Sequence, residues 1–242
     1  FRTIPERPTP VATARWDSLR LQHNAILALL LAMAAAAWTA LVWQQGGHVS
    51  SMEMPMAAPC MGWEAPLFLT IWVVMMVAMM FPAAAPVALT FHGLRVVTRP
   101  LENAFVSTWV FVSAYLLVWA IAGLAAYAAL LTARYALTRA ALSTTVTNQL
   151  VGASIFVAGV YQITPLKEFC LSKCREPIRF IANLDKTADA FRMGLLYGVY
   201  CVGCCWLLFV ILFPLGMNVV SMIAVTLIIL AERRTLSWSQ PI

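Results

Sequence analysis

Long apolar segments are the feature that most constrains the fold of this chain. Hydrophobic residues make up 62% of its 242 positions, and charged residues make up only 11%. A typical globular domain carries about 25% charged residues, and roughly 20 apolar residues of helix are enough to cross a bilayer core. The sequence shows no series of alternating strands such as a transmembrane barrel requires. It therefore predicts an all-α fold, a single bundle of transmembrane helices.

Six apolar segments are predicted to form transmembrane helices. They are residues 24–43, 66–91, 104–131, 149–164, 193–213 and 219–230. A cleaved signal peptide is the alternative for the first, but its apolar part of about 20 residues exceeds the usual 7–15. The predicted organisation is a mobile basic tail (residues 1–23), one transmembrane domain (residues 24–234) and a C-terminal tail (residues 235–242).

The basic residues predict the orientation of the bundle. With six spans and both termini cytoplasmic, every Lys and Arg except Arg134 and Arg139 falls on the cytoplasmic side. This asymmetry follows the positive-inside rule, and the basic face can meet anionic lipid. Because the basic residues are scattered between apolar segments, the net charge of +6 does not indicate a nucleic-acid partner.

Three cysteines form a cluster within the predicted fifth span. Around a helix axis, Cys205 lies about 40° to one side of Cys201 and Cys204 about 60° to the other, so the three thiols share one face. Thiols are soft ligands for Cu(I), Zn(II) and iron–sulfur clusters, and they also exchange disulfides. The alternative is that these cysteines are small residues that pack between membrane helices.

Methionines form two further groups of candidate soft ligands. The first lies in a loop without Lys or Arg between the first two spans, and it contains His48, Met52, Met54, Met56, Cys60 and Met61. The second lies in the second span as two i,i+4 pairs, Met75 with Met79 and Met76 with Met80, just before Pro82 and Pro86. The loop either binds a soft metal or lies on the membrane or on a partner, and the span methionines either bind metal or simply pack.

A short helix is predicted in the longest hydrophilic loop. Thr164 can cap it, Pro165 suits its first position, and Pro177 ends it. Cys170 and Cys174 share one face of this helix, which we expect to lie beneath the bundle and to approach the fifth span.

The sequence also disfavours several functions. None of the span cores contains an acidic or basic residue or a histidine, which ion-coupled transporters usually carry. There is no glycine-rich phosphate-binding loop to use ATP. An enzyme is therefore not the favoured class.

Four motifs together resemble a bacterial family. They comprise Trp72, Met75, Met76, Met79, Met80, Pro82 and Pro86; Tyr161, Gln162, Thr164, Pro165, Lys167, Cys170, Cys174 and Pro177; Cys201, Gly203, Cys204, Cys205 and Trp206; and Gly216, Met217 and Asn218. The family is catalogued as domain of unknown function 2182 and described as predicted metal-binding integral membrane proteins. The resemblance implies metal binding and a bacterial inner-membrane location, but no particular metal or mechanism.

The favoured hypothesis is a membrane Cu(I)-binding protein for copper uptake or for delivery to a copper enzyme. The methionine spacings are similar to those of Ctr-type copper transporters, although those are three-span trimers. A second hypothesis is a thiol–disulfide oxidoreductase, since Cys201 and Cys204 resemble the intramembrane Cys-x-x-Cys of quinone-linked enzymes. A third is a structural subunit of a larger membrane complex.

The predicted orientation can be tested directly. We expect reporter fusions or cysteine labelling to place the loop around Met54 outside the cytoplasm, because it lies opposite the basic loops. A cytoplasmic location of this loop would contradict the orientation.

Overall fold

The fold is all-α in the part of the chain that the computed structural model describes. These residues are 10–46, 64–98, 100–140, 144–175, 189–213 and 218–235. They form seven helices: α1 (Pro10–Gly46), α2 (Glu64–Thr98), α3 (Leu101–Ala140), α4 (Thr144–Tyr161), α5 (Pro165–Arg175), α6 (Ala190–Leu212) and α7 (Val219–Thr235). The all-α prediction is confirmed for the described residues.

Four helices are long and apolar enough to cross a membrane. They are Asp17–Gln45 of α1, Ala65–Val97 of α2, Leu101–Ala136 of α3, and Ala190–Leu212, which is α6. The predicted fourth and sixth spans correspond to α4 and α7, which have 18 and 17 residues. The six-span count and the orientation therefore stay predictions. The first helix begins at Pro10, so it includes part of the segment that the sequence assigned to the basic tail.

Helix α2 continues through Pro82 and Pro86, and at Pro82 another helix satisfies its backbone. Pro82 has no N–H, so the carbonyl oxygen of Ala78 lacks its usual intrahelical partner. The indole N–H of Trp38 on α1 donates to that oxygen at 3.0 Å. A buried carbonyl left without a partner costs about 1–3 kcal/mol, so this hydrogen bond fixes α1 against α2.

The core of the bundle forms where α3 packs along α2 and α6. Trp72 of α2 donates its indole N–H to the carbonyl oxygen of Trp119 on α3 at 2.9 Å. The same ring stacks on Phe213, just after α6. Gly198 of α6 lies so close to α3 that an added Cβ would be 2.9 Å from the side chain of Val118. A small residue at this position therefore permits the close packing of α6 against α3.

We predict that Gly198→Leu destabilises the protein by about 1–3 kcal/mol, because the new side chain would overlap the stiff Val118 side chain. Thermal unfolding in detergent measures the effect. The matched control is Gly159→Leu, since a Cβ at Gly159 meets nothing within 4 Å. Equal midpoints for the two variants would contradict close packing at Gly198.

Candidate metal centre

The three cysteines of α6 lie together and are buried. Their sulfur atoms all lie within 4.8 Å of one another. The Sγ atoms of Cys204 and Cys205 are 3.1 Å apart. At about 1.5 Å per residue, Cys201 lies roughly 16 Å from the start of α6, close to the middle of the helix. The predicted arrangement of thiols on one face, inside the bundle, is what the structure shows.

Helix α5 begins where the sequence predicts it. Its first residue is Pro165, and the Thr164 hydroxyl accepts a hydrogen bond from the Lys167 backbone N–H at 3.4 Å. The helix ends at Arg175. It packs along α6, with the Phe169 ring against the ring of Tyr200.

Helix α5 approaches α6 as predicted, and it lies beside the middle of α6, a level that the sequence did not predict. The cause is the end of α4, where the Tyr161 hydroxyl donates to the carbonyl oxygen of Gly203 at 2.5 Å. The chain therefore turns at the level of the α6 cysteines, and α5 starts there. As a result, α5 extends the thiol cluster instead of forming a separate pair of ligands.

The two cysteines of α5 have different environments. Cys174 is only 3% exposed, and its thiol interacts with those of Cys201 and Cys204. Cys170 is half-buried. Its sulfur lies 2.9 Å from the place that a Cβ of Gly203 would occupy, so the missing side chain at Gly203 makes room for it. Two helices thus bring five thiols to one region.

The environment of the α5 thiols favours their protonated forms. The pKa of Cys174 is raised well above its usual value, first by hydrogen bonding with Cys201 and Cys204 and then by burial. Burial also raises the pKa of Cys170. Metals bind thiolates, so a metal ion must displace these protons when it enters the centre.

The sequence did not predict the polar side chains that surround Cys201. The Tyr115 hydroxyl of α3 lies 3.3 Å from the Cys201 sulfur. Arg233, near the end of α7, donates from Nη2 to the same sulfur at 3.0 Å. No span core contains a charged residue in the sequence, yet this guanidinium reaches a thiol in the middle of α6. The sequence signal for this contact was the charged run Glu232-Arg233-Arg234, which follows the last apolar segment.

An ion pair joins α7 to α5. The Lys167 ammonium, which is 3% exposed, lies 2.5 Å from a carboxylate oxygen of Glu232. The Arg175 side chain donates from Nε to the Glu232 carbonyl oxygen at 2.9 Å. The end of α7 therefore contacts both thiol-bearing helices.

The span methionines occupy the core of the bundle. Met75, Met76, Met79 and Met80 are each at most 1% exposed and belong to the same apolar core as the cysteines. Packing against lipid is therefore excluded for these four side chains. That these methionines bind a metal ion stays a prediction. The loop candidates His48, Met52, Met54, Met56, Cys60 and Met61 lie outside the described residues.

The donor atoms suit a soft metal ion. Among the described residues, the compact group of candidate ligands consists of thiols, without a carboxylate or an imidazole. Cysteines 170, 174, 201, 204 and 205 are all free of disulfides. Thiolates select Cu(I), Zn(II) and iron–sulfur clusters over Mg²⁺ and Ca²⁺, which require oxygen ligands.

Comparison with known proteins gives a match to a protein family. A family model described as PpoB2: Copper chaperone matches residues 69–242. This range includes most of α2 and all of α3 to α7, and hence every residue of the centre described above. No curated protein and no solved structure matches the chain.

Burial predicts unequal reactivity of the thiols. We expect N-ethylmaleimide to modify Cys170 at least about tenfold faster than Cys174, Cys201, Cys204 or Cys205, since the buried thiols require local opening. Peptide mass spectrometry of the folded protein in detergent measures each rate. Full denaturation is the control and should equalise them. Equal rates in the folded state would contradict the geometry.

Proposed function

The chain belongs to the PpoB2 family of copper chaperones, and we propose that it binds Cu(I) inside the membrane and delivers it to a copper enzyme. The proposed location is the inner membrane of a bacterium, with the four long apolar helices crossing the bilayer. The observation that carries the proposal is the convergence of buried thiols from α5 and α6.

The proposed ligands are Cys174, Cys201, Cys204 and Cys205. All four are at most 3% exposed. The sulfurs of Cys201, Cys204 and Cys205 lie within 4.8 Å of one another, and the Cys174 thiol interacts with those of Cys201 and Cys204. Neighbouring thiols can exchange a bound Cu(I) ion between pairs without a change in backbone position. This suits a protein that must bind a metal and then release it.

Charge favours Cu(I) over Zn(II) in this environment. A Cu(I) ion with two thiolates carries one negative charge, whereas Zn(II) in a four-thiolate site carries two. Burial of charge in apolar surroundings is costly, so the complex of lower charge is favoured. The family description also names copper.

Cys170 is the proposed point of copper exchange. It lies beside the cluster at Gly203 but is less buried than the other four thiols. An incoming thiol or thioether of a partner can reach this sulfur first. The proposed partner is a membrane copper enzyme, which receives the ion through Cys170.

The methionines are proposed as weaker ligands on the way to the cluster. Thioethers are neutral, so their burial in α2 costs little, and they bind Cu(I) less tightly than thiolates do. In this proposal the loop with His48, Met52, Met54, Met56, Cys60 and Met61 captures the ion outside. Met75, Met76, Met79 and Met80 then pass it towards the thiols.

We predict that simultaneous replacement of Cys201, Cys204 and Cys205 by Ser abolishes high-affinity Cu(I) binding. Hydroxyls are hard ligands, while the change in side-chain volume is small and the fold should persist. Metal analysis of protein purified with a reductant, combined with competition by a Cu(I) chelator, measures the loss. Circular dichroism checks the helical content.

The matched control is Cys60→Ser, which removes a thiol of the proposed capture loop and none of the buried centre. Protein loaded with copper in vitro should therefore keep the copper of that centre. Full copper stoichiometry in the triple variant would contradict the proposed ligands. An unchanged copper content together with loss of disulfide exchange would favour the oxidoreductase hypothesis instead.

A further inference from the structure

We propose that Arg233 is a positioning residue of the metal centre: its guanidinium holds the Cys201 sulfur and offsets the negative charge of the bound metal–thiolate complex. The inference rests on the proposed function, since it concerns the same thiols. It assigns a role to α7, which contributes no thiol of its own.

The contacts of Arg233 are directional and come from two helices besides its own. Nη2 donates to the Cys201 sulfur at 3.0 Å. Nη1 donates to the Tyr197 hydroxyl at 2.8 Å and to the Ala83 carbonyl oxygen at 2.9 Å. The planar guanidinium is thereby fixed by α2 and α6, with one nitrogen directed at the thiol.

Charge gives this contact its proposed purpose. Any Cu(I) complex with two or three thiolates is anionic, and an unpaired anion in an apolar bundle is strongly disfavoured. Among the described residues, Arg233 supplies the charged group that hydrogen-bonds to a cluster thiol. Among the charged groups nearby, Lys167 and Glu232 pair with each other, and Arg175 donates its Nε–H to the Glu232 carbonyl oxygen.

The preceding residue supports the same arrangement. Glu232 receives the Lys167 ammonium on its carboxylate and the Arg175 side chain on its carbonyl oxygen. Consecutive residues of α7 therefore contact α5, which carries Cys174, and α6, which carries Cys201. This pair aligns the two helices that supply the thiols, and Arg233 adds the compensating charge.

The experiment must distinguish this proposal from a purely structural role of Arg233. In that case Arg233 would simply join α7 to α2 and α6, and its charge would not matter for copper. Tyr197→Phe serves as the matched control, since it removes one hydrogen bond of the guanidinium and leaves both the charge and the thiol contact in place.

The test is the Cu(I) dissociation constant of the full-length protein in detergent, measured by competition with bicinchoninate. We expect Arg233→Gln to weaken Cu(I) binding by about 10- to 100-fold, the usual effect of losing a partner of a metal ligand. Arg233→Lys, which keeps the charge, should recover most of the affinity, and Tyr197→Phe should bind like the wild type. The thiolate-to-Cu(I) ultraviolet absorption at saturating copper should persist in all variants, because the ligands are unchanged.

Wild-type affinity in Arg233→Gln would overturn the inference. Equal losses in Arg233→Gln, Arg233→Lys and Tyr197→Phe, in proportion to their losses of thermal stability, would also overturn it in favour of a structural role. If Arg233→Gln does not fold, Arg233→Met provides a second neutral variant. Wild-type Cu(I) affinity of Arg233→Met would also overturn the inference. Absence of Cu(I) binding by the wild type would instead contradict the proposed function itself.

Discussion

The packing of α6 between α3 and α5 is the interaction on which the rest of the structure depends. On one side, Gly198 permits close contact with α3, which brings the Tyr115 hydroxyl to Cys201. On the other side, Gly203 makes room for Cys170, so that α5 can add its thiols to those of α6. Without both contacts, the three α6 cysteines would lack the Tyr115 hydroxyl and the α5 thiols as neighbours.

The end of α7 completes the centre with charge. Apolar helices can bring thiols together, but they cannot balance the negative charge of a metal–thiolate complex. Glu232 and Arg233 follow directly after the last apolar segment, and their side chains extend to α5 and to Cys201. The guanidinium that reaches Cys201 therefore comes from α7, a helix that contributes no thiol. This division lets the membrane segments stay apolar while the centre remains polar.

Much of this arrangement could be predicted from local sequence patterns. Helical periodicity placed Cys201, Cys204 and Cys205 on one face, and Thr164 with Pro165 marked the start of α5. The contact of Arg233 with Cys201 could not be predicted in this way, because it joins residues 32 positions apart through the packing of two helices. The level of α5 was also missed. It depends on the Tyr161–Gly203 hydrogen bond, which periodicity does not encode.

The proposed function requires that sulfur atoms of the buried centre bind copper as Cu(I). X-ray absorption spectroscopy at the copper K-edge, on protein loaded in the presence of a reductant, tests it most directly. We expect an edge typical of Cu(I) and a first shell of two or three sulfur ligands, in keeping with the preference of soft thiolates for this ion. A Cu(II) edge, or a first shell of nitrogen and oxygen atoms, would contradict it.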